Sequence, residues 1–228
     1  MATILQIETA TQVCSAALSV NGETIALKEL AAQNIHAGSL TLFIQEVMEQ
    51  AGKIYEDLDA IAVSKGPGSY TGLRIGVSTA KGICFAQDKP LIAIDTLQFM
   101  AKGFLAANPA YTGLVCPMID ARRMEVFTAM YDHNLTAIAP VSAKIIDEES
   151  FTNELSLSQV TFIGDGAIKC SDAIRSPNAI FSEQNYNSAS NMSSLAFDAF
   201  TQGRFEDVAY FEPYYLKEFM ITQPKKKV

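Results

Sequence analysis

Between Ser64 and Gly76 the chain reads Ser-Lys-Gly-Pro-Gly-Ser-Tyr-Thr-Gly-Leu-Arg-Ile-Gly, a run that few folds accommodate. An apolar stretch, Ala60 to Val63, enters it as a strand, and a helix-forming segment, roughly Ser69 to Gln87, leaves it. Gly66 and Gly68 can take backbone angles that a Cβ forbids, and Pro67 fixes φ between them, so the turn is tight. Ser69 is placed to cap the following helix. Such a turn holds either an anion, through free N–H groups and the helix dipole, or a closely packed neighbour. The run lacks both Gly-Lys-Ser/Thr and Gly-x-Gly-x-x-Gly, and packing is the favoured reading. Gly72, Gly76 and Ala80 put small residues on one face, while Leu73, Ile75, Val77, Ile83 and Phe85 fill the rest. A helix apolar nearly all round is buried on more than one side, and its small stripe lets another helix approach.

The remaining elements arrange themselves around this strand–turn–helix unit. Thr3 to Glu8, Cys14 to Val20 and Glu23 to Leu30 read as strands, with Asn21-Gly22 a hairpin turn. Gln33 to Ala51 is an amphipathic helix, with Leu40, Phe43, Ile44, Val47 and Met48 at helical spacing. A strand at Leu91 to Ile94 and a helix to about Ala107 complete the first half, and Asn108-Pro109 breaks the chain. The pattern then restarts. Leu114 to Ile119, Met124 to Tyr131 and Ala137 to Ser142 are strands, and a short helix starts near Asp147. Val160 to Ile163 leads through Gly164-Asp165-Gly166 into a helix to about Arg175. A strand at Ala179 to Phe181 and a helix from Ser190 to Gln202 follow. The order β-β-β-α-β-α-β-α, taken twice, predicts an α/β fold of two lobes, residues 1–107 and a smaller 108–228, each a mixed sheet with flanking helices.

The formal net charge of -8 argues against the chain gripping RNA or an anionic membrane by itself. No apolar run reaches the roughly 18 residues that a membrane helix needs, and no secretory leader is evident, so a cytoplasmic protein without membrane contact is expected. Cys14, Cys84, Cys116 and Cys170 are scattered and read as small core residues. Only His36 and His133 are present, too few to suggest a zinc hydrolase, so no metal is expected. The tail Pro224-Lys225-Lys226-Lys227-Val228 reads as a solvated end, with three lysines to offer an RNA backbone.

Three runs, MATILQIETAT, GPGSYTGLRIGVSTAKGICFA and MIDARRMEVFTAMY, are similar to the TsaB (YeaZ) family of bacterial tRNA threonylcarbamoyladenosine biosynthesis proteins. The resemblance spans the chain and is strongest over residues 1 to 131. It implies the actin-like, ribonuclease H-like fold shared with sugar kinases. It implies a non-catalytic subunit that binds TsaD and supports threonylcarbamoyl transfer to adenosine 37 of ANN-decoding tRNAs. TsaE is a further implied partner, TsaC or a relative makes the threonylcarbamoyl-adenylate upstream, and tRNA is met only through the complex. The family's two first-lobe helices meet those of TsaD, or of a second copy in a homodimer. That implies an interface through His36, Leu40, Phe43, Ile44, Val47, Thr71, Arg74, Ile75 and Ser78.

In this fold the hairpin after each lobe's first strand faces the cleft. Here those are Glu8-Thr9-Ala10-Thr11 and Asp120-Ala121-Arg122-Arg123. The family pattern has Asp where this chain has Glu8, and Gly164-Asp165-Gly166 resembles a degraded adenosine turn. The implied reading is a vestigial nucleotide site of Glu8, Thr9, Thr11, Asp120, Gly164, Asp165 and Gly166. No cofactor is expected in this chain, with ATP or ADP at the complex interface. The alternative is an actin-fold kinase or ATPase using Glu8, Asp120 and the Gly164 turn. A metallopeptidase is a weaker alternative, because the His-x-x-x-His pair that TsaD uses is broken here by Leu40.

Overall fold

The computed structural model describes residues 1–33 and 35–217. Among these residues ten strands form two five-stranded sheets of the same topology. In the first, β1 (Thr3–Glu8), β2 (Val13–Val20) and β3 (Glu23–Ala31) run as an antiparallel meander. Beyond β1 lie β4 (Ala60–Gly66) and β5 (Leu91–Asp95), both parallel to it, giving the order β3-β2-β1-β4-β5. The second sheet repeats this with β6 (Leu114–Asp120), β7 (Glu125–Tyr131), β8 (Ala137–Ile145), β9 (Val160–Ile163) and β10 (Ala179–Phe181), in the order β10-β9-β6-β7-β8. β1 is central and covered on both faces, so every one of its residues is buried, the polar Thr3, Gln6 and Glu8 included. The first hairpin turns at Asn21 (φ 51°) and Gly22 (φ 85°), the left-handed pair that matches strand twist.

Helices α1 (His36–Gln50) and α2 (Tyr70–Gln87) lie against each other on one face of the first sheet. They enclose a core of Leu5, Ile7, Leu18, Leu40, Ile44, Val47, Ile61, Val63, Val77 and Cys84. Helix α3 (Thr96–Ala107), capped by the Asp95 carboxylate accepting from Leu97 and Gln98 N–H, lies on the other face. There Phe99, Met100 and Phe104 pack with Ile4, Ala62 and Ile92 of one sheet and Val115, Ile119 and Ile163 of the other. The two sheets therefore share one core through α3. A third cluster, including Met118, Val126, Phe151, Phe162 and Cys170, fills the outer face of the second sheet.

The second lobe keeps the strand plan and trims the helices. α4 is short (Thr152–Leu157), and where the sequence predicts a helix to Arg175 there is one 3-10 turn, Ile168–Cys170. Only a few residues separate Ala167 from the Ser176-Pro177 break, and i→i+3 bonds such as Cys170 N to Ala167 O tighten them. The last helix, α5 (Ser193–Thr201), expected as part of the second lobe, packs on β1, β2, β3 and β5 of the first sheet. The chain after it stays there. Glu206 N donates to Leu91 O, and Lys81 Nζ donates to the carbonyls of Ala209 and Phe211. Tyr214 N then donates to Lys65 O, and Tyr215 stacks on Tyr70 with centroids 4.7 Å apart.

Candidate functional site

The glycine turn exists to seat the first hairpin. Cβ atoms added at Gly68 and Gly72 would lie 2.4 Å from Ala10 O and 2.1 Å from Thr9 O, and one at Gly76 would lie 2.2 Å from Thr9 Oγ1. The Ser69 N–H donates to Ala10 O at 2.7 Å, and the Gly72 N–H to the capping Ser69 Oγ at 3.3 Å. Two N–H groups of the turn, and the space beside its glycines, are thus taken by the chain itself. The small stripe of α2 faces inward, onto Thr9 and not onto another helix.

Under this seal Glu8 and Thr9 are wholly buried and Thr11 nearly so. The Glu8 carboxyl accepts from Ala10 N–H at 2.7 Å. Its other oxygen, with Ser64 Oγ, Thr9 Oγ1, Gln6 Oε1 and Thr96 Oγ1, finds no hydrogen-bond partner among the described residues. Burial pushes the Glu8 pKa up to about 7, held back by the neighbouring Ser64 hydroxyl, which falls short of hydrogen-bond geometry, and by the Ala10 N–H. Glu8, Thr9 and Thr11 thus lie beneath a packed turn and not open to solvent.

That burial has a measurable consequence. Folded Glu8 holds its proton to about pH 7, whereas the unfolded chain releases it near 4.5. The folded state binds the extra proton between those values, so stability is full below pH 4.5 and falls as pH rises towards 7. A shift of this size is worth about 3 kcal/mol. Urea unfolding of Glu8→Gln should therefore show a shallower decline over pH 4.5–7 than the parent, and higher stability at pH 8. Burial also raises Asp95 and Asp165, so some decline remains. Equal pH profiles for the two proteins would contradict the buried-carboxyl account.

The second lobe brings its expected residues together. Asp120 N donates to Asp165 Oδ1 at 3.0 Å, joining the second hairpin to the Gly164 turn. Asp120 also pairs with Lys169, whose Nζ donates to the carbonyls of Arg123 and Glu125 at 2.7 Å each. Gly164 has φ 96°, and Cβ atoms added there and at Gly166 would meet Met118 O at 2.5 Å and Ile119 C at 2.9 Å. These glycines fit the turn closely onto β6. No hydrogen bond or ion pair joins Glu8 to Asp120 among the described residues.

The expected interface divides in two. Leu40, Phe43, Ile44 and Val47 are buried in the core of their own lobe, and His36 is buried with Nε2 3.1 Å from Val13 O. These five are withdrawn from solvent: α1 turns its amphipathic face to the sheet, as a one-sided helix must. Phe43→Asp, which looks from sequence like an interface test, is a core disruption. Thr71, Arg74 and Ser78 are exposed and Ile75 half-buried. With Ala37, Tyr70 and Thr79 they line a shallow groove of about 480 Å³ between the helices.

Sequence reasoning missed further exposed residues on the outer faces of the two helices. Leu42 on α1 is 55% exposed and Phe85 on α2 is 87% exposed. Gly38 and Gly82, in the two helices, are exposed and have nothing within 4 Å of an added Cβ. Gly82 follows Ser78 by one turn, so it lies on the groove's face. Each glycine weakens its helix with no internal packing to require it. Elsewhere His133 sits in an exposed turn beside Asn134, the four cysteines are buried, and no helix is long and apolar enough to cross a membrane among the described residues. No cluster of three metal-ligating side chains occurs among them either. The tail lysines Lys225–Lys227 lie outside the described residues.

Known proteins share this pattern. The TsaD profile, tRNA N6-adenosine threonylcarbamoyltransferase, matches residues 29–222. The Escherichia coli (strain K12) tRNA threonylcarbamoyladenosine biosynthesis protein TsaB is 32% identical over 223 residues, 94% of each chain. Two Pseudomonas aeruginosa structures, each matched over 95% of this chain and 100% of theirs, share the fold. YeaZ superposes with TM-score 0.78 at 25% identity, and an uncharacterized protein with similarity to peptidase YEAZ with 0.84 at 24%. The end-to-end match to the E. coli protein, on a two-lobed fold shared with YeaZ, means that this chain belongs to the TsaB (YeaZ) family.

Proposed function

We propose that this chain acts in tRNA threonylcarbamoyladenosine biosynthesis as a non-catalytic subunit. It binds TsaD and supports threonylcarbamoyl transfer to adenosine 37 of ANN-decoding tRNAs. The observation that carries this reading is the contrast between the two candidate sites. The first-lobe hairpin that would serve phosphoryl chemistry is sealed by α2, whereas the outer face of α1 and α2 is open and carries Phe85, Leu42 and two glycines without internal purpose. Helices that keep glycine on an exposed face let a partner helix approach closely. The interface is therefore Thr71, Arg74, Ile75, Ser78, Gly82 and Phe85 of α2 with Ala37, Gly38 and Leu42 of α1. TsaE joins the larger complex, and ATP or ADP binds at the junction between chains, not in this one.

Reconstituted modification of an adenosine 37 tRNA tests the reading. Omitting this chain should abolish product, and this chain without TsaD should make none. Glu8→Gln and Asp120→Asn should leave the full system within about twofold of wild type, since loss of a true catalytic acid or base costs about a hundredfold or more. A hundredfold loss in either variant, with the complex intact, favours the kinase or ATPase alternative instead.

A further inference from the structure

The hairpin between β6 and β7 turns through Arg122 and Arg123, with φ of 71° and 52°. Two successive left-handed residues crowd each Cβ against the backbone, and such positions ordinarily fall to glycine or asparagine. The fold does not need arginine here. The turn closes by backbone bonds, Ala121 N to Glu125 O at 3.1 Å and Glu125 N to Arg122 O at 3.2 Å, and Lys169 holds the Arg123 and Glu125 carbonyls from beneath. Both side chains are exposed.

The carboxylates beside them are already committed. Asp120 pairs with Lys169 and accepts from Arg122 N–H at 2.8 Å, Glu125 pairs with Lys217, and Asp165 accepts from Asp120 N–H. Among the described residues neither guanidinium has an ion-pair or hydrogen-bond partner. A chain of net charge -8 thus keeps two unneutralised arginines side by side on a stiff tip.

The tip also adjoins the helix groove. Lys217, bound to Glu125, lies two residues beyond Tyr215, which stacks on the groove residue Tyr70, and Tyr214 is bonded to Lys65 O. Two residues of chain span at most about 7 Å. Lys217 therefore links the tip to the chain that packs at the foot of α2.

We propose that Arg122 and Arg123 grip the phosphate backbone of the tRNA held by the complex. Guanidinium forks match phosphate oxygens bidentately, and backbone contact positions an RNA without reading its sequence. This rests on the reading that the chain works beside TsaD on tRNA. The isolated chain, acidic overall, binds RNA weakly and through this tip, and a partner that holds the nucleic acid alongside strengthens the grip.

The test is titration of a labelled adenosine 37 tRNA transcript with the assembled complex at several salt concentrations. Arg122→Ala/Arg123→Ala should weaken binding about tenfold and reduce the log–log salt slope by about 1–2, as loss of two phosphate contacts requires. Arg122→Lys/Arg123→Lys should stay within about threefold with the slope kept. Arg122→Gly/Arg123→Gly should lose the same affinity while melting about 2–4 °C higher, because strain is relieved. Unchanged affinity and slope in the alanine variant, with assembly intact, overturns the proposal. So does loss of assembly, which would assign the arginines to a protein carboxylate. Should wild type fail to assemble at all, the subunit reading falls. The same low-salt titration of the isolated chain then still decides the arginine claim by its slope.

Discussion

Gly72→Ala is expected to destabilise the first lobe strongly. The new Cβ would stand 2.1 Å from the Thr9 carbonyl oxygen, far inside van der Waals contact. That oxygen cannot retreat, because the adjoining Ala10 carbonyl is bonded to Ser69 N–H and the hairpin is buried on every side. α2 cannot lift without opening the contacts of Leu73, Val77 and Ala80 with the core beneath. Overpacking of this kind costs about 1–3 kcal/mol and, against a fixed carbonyl, more, a large share of the roughly 5–15 kcal/mol that holds a domain together. Urea unfolding followed by circular dichroism measures it. Gly82→Ala is the matched control in the same helix: nothing lies within 4 Å, so it should gain about 0.5–1 kcal/mol from helix propensity. A Gly72→Ala midpoint equal to wild type would show that α2 is not seated on the hairpin.

Gly82→Arg is expected to separate folding from partnership. The side chain enters open solvent in the isolated chain, so the melting temperature should hold or rise. On the outer face, one turn past Ser78, it would stand where the proposed partner helix comes close. Loss at the centre of such an interface amounts to 2 kcal/mol or more, about thirtyfold in affinity. Isothermal titration with TsaD reads this directly. Phe43→Asp gives the opposite pattern, because Phe43 is buried among Leu40, Ile44 and Val47, and its failure to bind would come with failure to fold.

The two glycines show where sequence reading succeeds and where it stops. Strand order, the Asn21-Gly22 hairpin and the repeated lobe plan follow from local patterns, because apolar runs and turn residues act at short range. Gly72 and Gly82 look alike in sequence, ten positions apart in one apolar helix. Only the three-dimensional fold shows that the first receives Thr9 and the second faces open space. Likewise the periodicity of α1 identifies an apolar face but not its occupant, which proves to be the chain's own sheet. The return of α5 and residues 206–215 to the first lobe is long-range, with Glu206 meeting Leu91 and Tyr214 meeting Lys65. Nothing near those residues signals it. Left-handed Arg122 and Arg123 run against local preference outright, so no turn rule finds them.

Size-exclusion chromatography with light scattering, on wild type and Gly82→Arg each mixed with TsaD, tests the central claim most directly. The account predicts a new one-to-one species for wild type and separate peaks for the variant, whose own elution and melting stay unchanged. A complex that forms equally well with Gly82→Arg would contradict the outer helix face as the docking surface. No complex with wild type, with or without ATP and Mg²⁺, would contradict the subunit role itself.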